Sequence, residues 1–189
     1  MTLHRWAVAV HEASHAVTAL GFGLPLKAAT VVRHGRDAGS VTLATASKSA
    51  AREVAAAGSS PRVLELVYLF DCIWSRAGGV GEEAMGLDTG GCTPDHVHAI
   101  DALDRLWDVS GCPPWRLDFL LDQTLRGYLR QRAVADALLR IASRLYDRSV
   151  LTGAELSALA GPLPRLDLSE LQRVVQYWSR APAPAPAPA

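Results

Sequence analysis

The sequence predicts a predominantly α-helical α+β protein, with a histidine-bearing helix first, a small β-hairpin after it and a helical C-terminal half. Three observations predict this. Most segments repeat apolar residues at helical spacing, one stretch rich in Val and Thr flanks a turn, and the opening helix carries His11-Glu12-Ala13-Ser14-His15. A chain of 189 residues that is 49% hydrophobic can bury one sizeable core.

The elements follow in order. Thr2 can cap a helix from about Leu3 to Leu20, with Leu3, Trp6, Val10 and Val17 as apolar positions and Gly21 and Gly23 ending it. Ala28 to Val32 and Ser40 to Thr45 flank the turn-like His34-Gly35-Arg36-Asp37-Ala38-Gly39 and read as the hairpin. A helix is expected from Ser49 to Ala57, and another from Pro61, with Ser60 as its cap and proline in the first position. Through Val63, Leu66, Val67, Phe70, Ile73 and Trp74 this second helix is apolar over much of its circumference, which predicts a central place in the core.

A glycine-rich connection is expected from Gly78 to Thr93, where Thr93-Pro94 opens a helix with Asp95 in its first turn. Further helices fit Pro114 to about Arg126 and about Leu129 to Arg148. Thr152 and Glu155 form a T-x-x-E capping box for a short helix, and a last helix follows Asp167. The expected organisation is a domain over residues 1–164, a C-terminal helix over 165–180 and a disordered Ala-Pro tail over 181–189.

The chemistry concentrates in the first helix. A separation of four residues puts His11 and His15 on one face, about 6 Å apart, so both imidazoles can reach one ion. Glu12 lies one position round, where a general base can take a proton from water without occupying a coordination position. With six His and seven Glu in the chain, roughly 0.01 such matches are expected by chance, so the pattern carries information. A catalytic zinc needs a third protein ligand. Asp95, Asp88, Cys92, His96 and His98 are the candidates, and Asp95 reads equally as a first-turn aspartate that complements the helix dipole.

Composition excludes several classes. The net charge is zero, with 19 basic and 19 acidic side chains and no long basic cluster, so nucleic acid is not an expected partner. The N-terminus does not read as a signal peptide and no apolar run reaches about 18 residues, so membrane insertion is not expected. Cys72, Cys92 and Cys112 are odd in number and lack C-x-x-C spacing, which fits a reducing cytoplasm.

Four segments together carry a family resemblance: AVAVHEASHAV, KAATVVRHGRDAGSVTL, AGGVGEEAMGLDTGGCTPDHVHAID and ALLRIASRLYDRSVLTGAELSALAG. In this order, over most of residues 5–161, they resemble the peptidase domain of the FtsH-type ATP-dependent zinc proteases. That family has an HEAGH helix, a strand pair with a Gly-rich turn, an A-G-x-x-A-E-E segment and a T-T-G-A-x-x-D segment. The resemblance implies a zincin-like site in which His11, His15 and Asp95 bind Zn2+, Glu12 is catalytic, and one of Glu82 and Glu83 orients a ligand histidine. The strand from Ser40 to Thr45 matches the edge strand that takes extended peptide.

The chain departs from the pattern at Ser14, where the family has glycine, and around Gly79, Val80 and Gly81, where its usual Arg and Ala are missing. No G-x-x-x-x-G-K-[ST] loop is present, hence no ATPase module within these residues. The expected function is therefore a zinc metalloendopeptidase that hydrolyses unfolded proteins or flexible peptides with zinc-activated water, without ATP. A homo-oligomer or a separate ATPase partner is compatible with this. The alternative is a non-hydrolytic zinc-binding module built on the same fold, against which the intact Glu12 counts.

Overall fold

The computed structural model describes residues 3–33, 38–44, 60–87 and 93–180. In chain order these form α1 (Leu3–Phe22), β1 (Leu26–Thr30), β2 (Ser40–Leu43), α2 (Pro61–Ala84), α3 (Thr93–Ser110), α4 (Pro114–Leu129), α5 (Arg132–Arg148), β3 (Val150–Thr152), α6 (Gly153–Ala160) and α7 (Ser169–Arg180). The protein is mostly helical with one small antiparallel sheet, so the expected fold class holds at that level. The expected helix at 49–57 and the Ala-Pro tail lie outside the described residues.

Helix α1 is the centre of the molecule. Every residue from Ala9 to Ala19 is buried, which a helix achieves only when it is covered all round. Ala9, Ala13, Ala16 and Ala19 keep it slim, and α2 and α5 pack against it. Helix α2 shares the central place expected for it. It packs against α1, α3 and α4 and adds Leu69, Cys72, Ile73, Ala77 and Val80 to the core, while Val63 and Leu66 near its start are exposed. Helix α1 runs on past Gly21, since Tyr128 of α4 lies against that bare α-carbon and donates from its hydroxyl to the carbonyl of Val17 at 3.2 Å. Gly23, with φ of +78°, ends the helix instead.

The hairpin is found, with its first strand two residues earlier than expected. A register irregularity between Leu26 and Ala28 lets Ala28 face Thr42 and Thr30 face Ser40. The amide of Val31 leaves the strand and donates to Ser149 at 2.8 Å. A third strand, unforeseen in the sequence, completes the sheet in the order β2-β1-β3, with Ala28 also facing Thr152. Three residues are too few for an alternating pattern to announce β3.

The glycine-rich connection is corrected most. Residues 78–84 continue α2 for two further turns, despite the roughly 1 kcal/mol that each internal glycine costs a helix. Ser60 stands at the N-cap with Pro61 after it, but its side chain makes no capping bond. The boundary between α4 and α5 falls at Arg130 and Gln131, a few residues later than expected. The Thr152 and Glu155 capping box forms as read.

The C-terminal helix joins the same core. Leu166, Leu171 and Val175 belong to the one buried cluster that also holds α1, and Ser179 donates to the buried Glu65 carboxylate at 2.8 Å. Cys72 and Cys112 are free and buried, and burial pushes their thiols up to about 12 and about 11, so neither is a ready nucleophile. Among the described residues, no helix is long and apolar enough to cross a membrane.

Candidate metal centre

Two elements bring three ligand atoms together. One turn of α1 separates His11 and His15, whose Nε2 atoms lie 3.1 Å apart. Asp95, in the first turn of α3, points its Oδ2 at both, 2.8 Å from the His11 nitrogen and 3.1 Å from the His15 nitrogen. Both histidines are buried, and Asp95 is the partly exposed member through which the site meets solvent. Burial opposes a charge on Asp95, yet hydrogen bonds and charge interactions with His11 and His15 outweigh it and hold the carboxyl well below the usual carboxylate range.

A fourth side chain determines which atoms are lone pairs. Nδ1 of His11 faces Oε1 of Glu82 at 3.3 Å, and Glu82 is itself buried. With the ring proton on Nδ1 toward that carboxylate, Nε2 presents a lone pair, which faces the Asp95 oxygen and the second imidazole. Converging acceptors repel one another unless a proton or cation lies among them. Two imidazole nitrogens and one carboxylate oxygen, all aimed at a common point, are the donor set that suits Zn2+. The cluster therefore fits a metal ion.

The paired glutamates divide their roles. Glu82 turns inward to His11, whereas Glu83 is half-exposed and pairs with Arg126 of α4. Of the other candidate ligands, His96 and His98 are exposed on α3 outside the cluster, and Asp88 and Cys92 lie outside the described residues. Glu12 sits on the same turn of α1 and is 5% exposed. The ring of Trp74 closes the far side of His15, edge-on at 5.6 Å, and stacks in turn on Phe70.

Sequence reasoning passed over the glycines as connection residues. A Cβ on Gly78 would overlap the His11 ring, one on Gly81 would overlap the Ser14 side chain, and one on Gly39, just before β2, would reach Glu12. Gly78 and Gly81 are one turn apart on α2, and a small-x-x-small spacing was the signal available for a close helix crossing. The Ser14 side chain on α1 takes the space left by the missing side chain of Gly81 on α2, an exchange of volume between the two helices.

A double-mutant cycle checks that exchange. The added methyl of Gly81→Ala would stand 2.6 Å from Ser14 Cβ and overlap its hydroxyl. It should lower stability by about 2 kcal/mol and Tm by roughly 4–8 °C. Ser14→Gly costs about 0.5 kcal/mol of helix propensity by itself, yet the double variant should melt above Gly81→Ala. Strictly additive Tm losses would show that the two positions do not touch.

The fold and site thus define a mostly helical α+β protein with a cluster of two buried histidines and a partly exposed aspartate beside a buried glutamate. The sequence matches no protein-family model, and no curated protein matches it.

Proposed function

We propose that the protein is a zinc-dependent metalloendopeptidase of the FtsH peptidase type, with a zincin-like site. One observation carries the reading: ligand atoms of His11, His15 and Asp95 converge on one point, with the buried Glu12 next to His11 on the same helix and Asp95 partly exposed to solvent. Zn2+ held there supplies Lewis acidity, which acidifies water and polarises a peptide carbonyl.

Each protein group then has a task. Glu12, next to the ligands on α1, accepts the proton of the attacking water and returns it to the departing amine as the C–N bond breaks. Glu82 fixes the ring of His11 through Nδ1. Strand β2 lies at one edge of the sheet, where an extended peptide can pair with its backbone. Pairing needs free N–H and C=O groups, so the substrate is an unfolded protein or flexible peptide. Folded substrates would need a separate ATPase partner, with or without oligomerisation of this chain. The free thiols of Cys72 and Cys112 are compatible with a cytoplasmic location.

The test is cleavage of casein or a diverse peptide library by the zinc-reconstituted protein. Slow cleavage without ATP that a chelator stops is the expected result. A protein that holds zinc and cleaves neither would be a zinc-binding module instead.

A further inference from the structure

The glycines that approach the metal centre face different side chains. Gly78, on α2, lies under the His11 ring, so a methyl there would displace a metal ligand. Gly39 faces Glu12: a Cβ on it would stand 2.6 Å from Oε1 and 2.8 Å from Cγ of Glu12, and 2.7 Å from the carbonyl oxygen of Thr30. No ligand atom of His11, His15 or Asp95 is among its three nearest contacts.

A methyl at residue 39 meets two neighbours, and relieving one contact does not relieve the other. The Thr30 carbonyl requires the start of β2 to shift against β1, and the two Glu12 atoms require that side chain to move as well. Rotation of a side chain is softer than displacement of a paired strand, so the carboxylate takes the larger displacement. From this contact we infer that Gly39 is a positioning residue for Glu12. Its bare α-carbon is the wall against which the carboxylate rests, and the metal ligands do not depend on it. The kinetic consequence rests on the metallopeptidase reading; the contact itself does not.

Gly39→Ala is tested in the full-length, zinc-reconstituted chain, in wild-type and Glu12→Ala backgrounds. It should keep about one zinc per chain while kcat falls about 100-fold and KM changes little, as expected for a reacting group misplaced by about 1 Å. It should also lower Tm less in the Glu12→Ala background, where the carboxylate is gone. Wild-type kcat in Gly39→Ala, a loss carried by KM, loss of zinc, or an equal Tm decrease in both backgrounds would each overturn the inference.

If wild type holds zinc but is inactive, the peptidase reading fails and the two-background Tm comparison alone decides the contact. If Gly39→Ala does not fold, a folded Glu12→Ala/Gly39→Ala double variant supports the inference. Failure of both to fold assigns the collision to the Thr30 carbonyl and overturns it.

Discussion

Asp95→Ala should abolish stoichiometric zinc binding in the reconstituted protein. Structural zinc sites are worth about 10–16 kcal/mol over four ligands, so one ligand carries roughly 3–4 kcal/mol, or about 100- to 1000-fold in dissociation constant. Asp95 belongs to the proposed ligand set because a single oxygen, Oδ2, meets both imidazole nitrogens. His15→Ala should behave in the same way. Glu82→Gln touches only the remote nitrogen of His11 and should weaken zinc about 10- to 100-fold without abolishing it. Elemental analysis and competition with a chromogenic chelator read all three. Wild-type zinc affinity in Asp95→Ala would reduce that carboxylate to a charge at a helix N-terminus.

Glu12→Gln should keep its zinc and lose cleavage, by about 100- to 10,000-fold, the usual contribution of a positioned base. Glutamine preserves the shape of a buried side chain that lies close against Gly39, so neither the fold nor zinc binding should respond. It cannot accept the proton of water. Metal binding and chemistry are thereby separated in one variant, assayed for zinc content and for casein cleavage in the same preparation. Cleavage at the wild-type rate by Glu12→Gln would assign the activity to another site or to a contaminant.

The helices were legible where their periodicity was long and their ends carried a capping signal. Thr152 with Glu155 and Asp167 before Ser169 mark helix starts that are found, the latter with Asp167 accepting from the Ser169 amide at 2.8 Å. Strand β3 was not legible. Its three residues are held by pairing with β1, a partner about 120 positions away in the chain. The stretch Gly78-Gly79-Val80-Gly81 read as connection because local propensity disfavours glycine in helices. The close approach of α1 overrides that preference, since only bare α-carbons leave room for His11 and Ser14.

Spacing along one helix was enough to pair His11 with His15 and to set Glu12 beside them, because the 3.6-residue turn is a local property of the backbone. The third member was open among five side chains, and no local rule could select Asp95, whose carboxylate reaches the histidines only when α3 is placed against the rest of the fold. The same holds for Glu82 over Glu83. Adjacent on one helix, they differ by about 100° of rotation, and the packing of α2 on α1 turns one toward His11 and the other toward Arg126. Residue types and helical phase belong to the chain; which phase faces inward is set by what each helix packs against.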